Sequence, residues 1–204
     1  AAIFAAGFIA RPVGAWLMGV YADRAGRRAA LTLSVALMSL GSFAIAILPT
    51  YAQIGVLAQV GLLAARLVQG LSLGGEYGAS ATYMSEMASK ARRGFWSSFQ
   101  YVTLVMGQLA ATLVLIVLQH TLSKAQLLDW GWRIPFLLSA ILLGISLWIR
   151  LRLDESPLFQ RIRDEGKLAH APLREALLDR ANLKTILIVL VGILMGQGVV
   201  WYLA

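Results

Sequence analysis

Six long apolar runs follow one another along this chain, and nothing else in it constrains the fold as strongly. They cover residues 1–21, 29–48, 54–84, 97–119, 132–149 and 183–204. At about 1.5 Å per residue, each is long enough to cross a hydrocarbon layer of about 30 Å. Inside such a layer the backbone must satisfy its own hydrogen bonds, so only helices or closed barrels can span it. A barrel would show short segments of alternating polarity, and none is present. The expected fold is therefore all-α, a polytopic transmembrane helical bundle. Composition agrees: 59% of the residues are hydrophobic and 14% charged, against roughly 45–50% and 25% in soluble domains. The first and last residues both fall inside apolar runs, with no initiator Met or cleavable leader. The chain is expected to be a piece of a longer protein.

The connectors alternate in charge. Segment 22–28 carries Arg24, Arg27 and Arg28, and segment 85–96 carries Lys90, Arg92 and Arg93. The long connector 150–182, with Lys184 just beyond it, carries eight Lys and Arg. The alternate connectors hold only Lys124 among them, so fourteen basic residues face one. This asymmetry places 22–28, 85–96 and 150–182 in the cytoplasm. It also accounts for the net charge of +8 without a nucleic-acid partner. The expected division is an N-terminal transmembrane bundle over 1–149, a cytoplasmic central loop over 150–182, and the first helix of a second bundle over 183–204. The mixture of charge with spaced Leu, Ile and Phe in the central loop suits short helices on the membrane surface.

Polar residues divide the runs into two kinds. Runs 29–48 and 132–149 hold only Ser and Thr inside their ends, and are expected to face lipid. Counting one helix before residue 1, they are the third members of two successive triplets, an internal repeat of the kind transporters show. The other runs carry groups that lipid rejects, since a charge at the bilayer centre costs about 2.5–3.5 kcal/mol on insertion scales. Arg11 lies twelve residues before Asp23, about 18 Å along a helix and hence near mid-membrane. It either pairs with an acid on another helix or faces a substrate. Within "RLVQGLSLGGEYGAS", helical geometry gathers Arg66, Gln69, Glu76 and Tyr77 on one arc and Gly70, Gly74 and Gly78 on the next. The first arc is a binding face or a polar network that cements helices, and the second lets a neighbouring helix approach closely. Gln100 and Gln108 form a similar arc in the run 97–119. Gly94 and Gly107 read as packing or turn positions.

Other chemistries find little support. Without cysteine there is no disulfide or thiol chemistry, and His120 and His170 fall in connectors, so no metal site is expected. "GLSLGG" lacks the GK[ST] ending of a phosphate loop. No Ser–His pair or acidic cluster points to an enzyme, and no cofactor is implied beyond a coupling proton.

At the first cytoplasmic turn stands "GVYADRAGRR", followed by "RLVQG", "YMSEMASKARRG" and "DESP". These phrases resemble the conserved signatures of the major facilitator superfamily. "RPVGAWLMG", "QGLSLGGEYG" and "WGWRIPFLLSA" resemble its metabolite:H⁺ symporter branch. The resemblance implies helices 2 to 7 of a twelve-helix, monomeric transporter in a bacterial inner membrane. It further implies proton-coupled uptake of a small organic acid, a dicarboxylate such as α-ketoglutarate, with citrate, shikimate or proline/betaine as alternatives. A receptor or scaffold that moves nothing is the reading from another class. The superfamily's cytoplasmic charge network, which holds the outward-facing state, falls on Asp23, Arg27, Glu86, Arg93 and Glu155. Arg11 and Arg66 are the cations well within the apolar runs, suited to a dianion's carboxylates, with Gln69, Tyr77, Gln100 and Gln108 around them. Arg133 is a candidate periplasmic gate or interface anchor. Glu76, the one carboxylate within the runs, either takes part in proton coupling or neutralises Arg66 or Arg11.

Overall fold

The computed structural model describes residues 2–166, 178 and 180–195. Those described are helical apart from short connections, with no strand among them. In chain order the helices are α1 (Ala2–Ala25), α2 (Arg27–Ile47), α3 (Tyr51–Ile54), α4 (Val56–Met87), α5 (Arg93–Thr121), α6 (Lys124–Gln126), α7 (Arg133–Arg150), α8 (Pro157–Asp164) and α9 (Arg180–Val189). A 3₁₀ turn at Lys90–Arg92 leads into α5, and wide π-helical turns occupy Leu127–Gly131 and Leu190–Leu194. Arg27–Ile47, Val56–Met87, Lys90–Thr121 and Arg133–Arg150 are long and apolar enough to cross a membrane. Residues 1–166 form one compact unit and 167–204 another. In the second, α9 covers only the start of the run expected over 183–204. The turn at Leu190–Leu194 continues it, whereas residues 196–204 and the surface helices expected over 167–177 lie outside the described residues.

Local chemistry sets the junctions. Gly26 adopts φ 106°, a conformation that L side chains rarely take, and turns the chain from α1 into α2. Thr50 begins α3 with its amide donating to Gln53 Oε1 at 3.0 Å. Ser123 and Gln126 cap α6 reciprocally, at 3.0 and 3.3 Å. Ser156 accepts from the Phe159 amide at 3.3 Å. It is followed by Pro157 at the first helical position, where the missing N–H costs nothing.

The packing centres on α4. Helix α1 runs parallel to it, in contact from Gly7 against Arg66 to Met18 against Gly75. Helix α2 runs antiparallel, with Ser34 opposite Ser72 and Ser42 opposite Gln69. Helix α7 lies on α2, Arg150 at its start and Arg133 at its end. The glycine arc expected on α4 does meet another helix: a Cβ on Gly70 would strike the Gly7 carbonyl, and one on Gly74 the Arg11 carbonyl. Gly78 instead faces open space, and Gly75, packed on Met18, takes its place. Gly94 and Gly107 also have nothing within 4 Å of a notional Cβ.

The expectation that 29–48 faces lipid fails for one side of the helix, while Leu40, Phe43 and Ile47 on the other side stand exposed. Helix α2 carries much of the core, burying Leu31, Ser34, Val35, Ser42 and Ile45. Its serines are what allow this, because small side chains let α4 come close: the Ser42 hydroxyl accepts from Gln69, and the Ser34 backbone carbonyl accepts from the Ser72 hydroxyl. The outer helices are α7, which buries no residue, and α5, which buries only Leu118. Leu104, Leu109, Leu113 and Ile116 of α5 stand uncovered by the described residues, a surface that suits hydrocarbon rather than water.

Candidate functional site

Arg11 and Arg66, from different helices, line one cavity of about 150 Å³. Its walls are Gly7 and Phe8 of α1, Met38 of α2, and Gln69, Gly70 and Leu73 of α4. The glycine contact of α1 with α4 creates the convergence, for it brings the backbone beside Arg11 against Gly74. Arg11 lies over the Phe8 ring, 4.0 Å from its centroid, a cation–π contact that holds a charge where water is scarce. The acidic partner considered for Arg11 is not seen among the described residues. Arg66 Nη1 donates to Gln69 Oε1 at 3.1 Å, and Gln69 Nε2 donates to Ser42 Oγ at 3.0 Å. An amide thus connects the guanidinium to a buried hydroxyl of α2. Phe136 of α7 lies on Arg66 as well, its ring centroid 5.7 Å away. No carboxylate belongs to the described lining of this cavity.

The other expected binding residues lie elsewhere. Gln100 Nε2 donates to the Tyr77 carbonyl at 3.2 Å, and the Tyr77 and Tyr101 side chains meet at the same α4–α5 contact. Gln108 is exposed further along α5. None of the three lines the arginine cavity. A helical wheel assigns angles on one helix but not the distance between two helices, so the shared arc suggested a convergence that the packing does not make.

Glu76 has a partner the sequence did not indicate. Arg150 Nη2 donates to its Oε1 at 2.6 Å, and Arg150 Nη1 donates to the Leu31 carbonyl at 2.9 Å. The pairing considered with Arg66 or Arg11 is therefore corrected: the last residue of α7 holds Glu76. A guanidinium on a long stem at a helix end can reach inward while its backbone stays at the surface.

A second polar centre joins the ends of α1, α2 and α4. Arg27 lies 3.2 Å from Asp23 and 3.3 Å from Glu86, and donates to the Ala22 carbonyl at 3.0 Å. Glu155 Oε1 accepts from the Arg27 and Arg28 amides at 3.0 and 3.2 Å. It caps α2 from a distant part of the chain, where a negative charge complements the helix dipole. Arg28 Nη2 donates to the Leu151 carbonyl at 2.6 Å, and the Tyr83 hydroxyl to the Asp154 carbonyl at 2.8 Å. Phe159, 3% exposed, packs against the cluster with its ring centroid 5.2 Å from the Arg27 guanidinium. Arg93 forms no ion pair among the described residues, but shares a cavity of about 380 Å³ with Glu86 and Arg161. At the opposite end of the bundle, Arg133 donates to the Leu48 and Asp129 carbonyls at 3.2 Å each and stacks on Trp132. In this structure it fastens α7 to the end of α2.

Known proteins resemble this chain along most of its length. The family profile described as "Sugar (and other) transporter" matches residues 1–196. Alpha-ketoglutarate permease of Escherichia coli K12 is 58% identical over 156 residues, 76% of this chain and 36% of the permease. The citrate-proton symporter of Klebsiella pneumoniae is 37% identical over 158 residues, 78% of this chain and 36% of that one. Among solved structures, the xylose transporter XylE from E. coli, in a partially occluded inward open conformation, superposes with a TM-score of 0.71. That likeness, at 23% identity, covers 80% of this chain and 39% of the other, and speaks for the fold alone. The chain spans little more than a third of the length of these curated relatives.

Proposed function

This chain belongs to the sugar (and other) transporter family of the major facilitator superfamily, and from that premise we propose that it serves proton-coupled symport of a dicarboxylate such as α-ketoglutarate. The transport crosses a bacterial inner membrane by alternating access. The convergence of Arg11 and Arg66 on one cavity carries the reading. Two planar guanidinium forks can each hold a carboxylate through paired hydrogen bonds, and their value rises where water is excluded. The names of the relatives, an alpha-ketoglutarate permease and a citrate-proton symporter, support the same class of substrate and a proton as the coupling ion.

Relatives described as putative proline/betaine transporters, 38% and 39% identical, favour a second reading, an osmolyte substrate. The site chemistry speaks against it. A quaternary ammonium seeks an aromatic face or an acid, whereas the Phe8 ring is covered by Arg11 and the described lining carries no acid.

Glu76 is the group we assign to proton coupling. The cluster of Asp23, Arg27, Glu86 and Glu155, with Arg93 beside it, stabilises one state of the access cycle. The arginine-rich connectors orient that cluster toward the cytoplasm. The test is uptake of labelled α-ketoglutarate by vesicles holding the full-length transporter, driven by an imposed pH gradient. A charge-assisted hydrogen bond contributes about 1.5–3 kcal/mol, so Arg11→Ala and Arg66→Ala should each raise KM at least about tenfold. Unchanged KM in both would refute the site, and binding without accumulation would identify a receptor.

A further inference from the structure

We propose that Glu76 and Arg150 form a proton-released clasp, with Arg150 acting as a positioning residue that fastens the end of α7 to α4 and α2. The proposal rests on the reading of Glu76 as the proton-coupling group, and gives that group its mechanical consequence.

Helix α7 buries none of its residues, yet it is fastened to the bundle at both ends by an arginine. Arg133 holds one end through the Leu48 carbonyl. Arg150 holds the other through Glu76 Oε1 and the Leu31 carbonyl, so one guanidinium bridges three helices. Its two side-chain contacts differ in kind. The carbonyl contact is insensitive to pH, whereas the carboxylate contact loses its charge when Glu76 takes a proton.

A proton and Arg150 therefore compete for the same carboxylate. Whichever state frees Glu76 from Arg150 binds the proton better, and that difference in affinity is what lets a proton shift a conformational equilibrium. Release does not stay local. The carbonyl of Leu151, the next residue, accepts from Arg28, and the chain continues to Glu155, which caps α2. Opening the clasp lets α7 pivot about Arg133 and loosens the cap at the cytoplasmic cluster. A protonation inside the bundle thereby reaches the face where access changes.

Few other groups compete for Glu76. Its one polar contact among the described residues is Arg150. Asp23 of α1 and Arg27 of α2 line the cavity beside the neighbouring Gly75 and Ala79, but they are paired with each other. Tyr101 of α5 meets Tyr77 instead. Arg11 lies on Phe8, and Arg66 reaches Gln69.

The experiment measures the distance between spin labels at Met87 and Leu151, both exposed at the same end of the bundle. It uses the full-length transporter in liposomes, without substrate, at about pH 8 and about pH 5. The wild type should show one short distance at high pH and gain a longer population at low pH, the ratio moving by up to about tenfold per pH unit for one proton. Glu76→Gln and, as a second variant, Arg150→Gln should show the longer population at both pH values. The exchange Glu76→Arg with Arg150→Glu should restore the short distance at high pH. Distances that are the same at both pH values in wild type, or unmoved by both single variants, would overturn the clasp. The distances are read without substrate, so a separate failure of the same liposomes to accumulate added labelled α-ketoglutarate under a pH gradient would refute the dicarboxylate reading without bearing on the clasp.

Discussion

Adding one methyl group at Gly74 tests the packing on which the candidate site depends. A Cβ there would stand 2.8 Å from the Ala15 amide nitrogen and 2.9 Å from the Arg11 carbonyl carbon, and nearer still to the Arg11 oxygen. Ordinary contact begins at 3.4 Å, so clearing the Arg11 oxygen makes α1 retreat by more than about an ångström. All the atoms struck are backbone, and no rotamer change relieves them. Overpacking of this kind costs about 1–3 kcal/mol. Alanine's better helix propensity offsets up to about 1 kcal/mol of it. Gly78, on the same helix with nothing within 4 Å, supplies the control: Gly78→Ala gains the propensity term without the clash. The difference between the variants isolates the packing term, and at roughly 2–4 °C per kcal/mol it separates their Tm values by several degrees. The assay is thermal unfolding of the detergent-solubilised full-length transporter, followed by size-exclusion chromatography. Since the carbonyl struck belongs to Arg11, Gly74→Ala should also raise KM for uptake, and Gly78→Ala should not. If Gly74→Ala melts no lower than Gly78→Ala, the two helices do not meet through these glycines and the geometry of the arginine cavity is wrong.

Two further outcomes follow from individual contacts. Ser42→Ala removes the hydroxyl that holds Gln69; leaving a buried amide short of a partner costs about 1–3 kcal/mol. Through Arg66 it should raise KM more than it lowers maximal uptake, and Ser42→Thr should recover the wild-type value. Gly26→Ala places a side chain at φ 106° and directs its Cβ at the Glu155 carboxylate. The backbone term is about 1–2 kcal/mol and the displaced cap about 0.5–2 kcal/mol. Adding Glu155→Gln to Gly26→Ala should lower Tm by less than Glu155→Gln does alone, because both act through one contact.

What could be read from residues alone followed from periodicity and charge. Long apolar runs have one physical solution in a bilayer, so the helices were legible, as was the face of α4 on which small residues gather. Asp23, Arg27, Glu86 and Glu155 are grouped by the resemblance of their phrases to the superfamily's signatures rather than by charge alone, and the structure joins them around the start of α2. What escaped notice depends on which helix lies beside which. Gly75 and Gly78 both lie near the small-residue arc, but only the position of Met18 decides that Gly75 is the one in contact. Helix α2 looked fit for lipid because serine is nearly silent in a hydropathy pattern. Its burial became visible only when Ser34 and Ser42 were found opposite Ser72 and Gln69.

Arg150 is the most instructive miss. It closes an apolar run and opens a basic connector, so counting charges assigned it to topology, as one more arginine holding a loop in the cytoplasm. Topology and mechanism draw on the same chemistry here, since a cation at a helix end can neutralise lipid headgroups or reach inward to an acid. The choice between those roles depends on whether a carboxylate lies within one side-chain length. Glu76 does, 74 residues earlier in the chain. Only folding brings it there, through α2, which lies between α4 and α7 and lends the Leu31 carbonyl to the same guanidinium. A carboxylate within an apolar run is therefore best paired by asking which helix ends the topology brings level with it, rather than by searching for cations at its own depth.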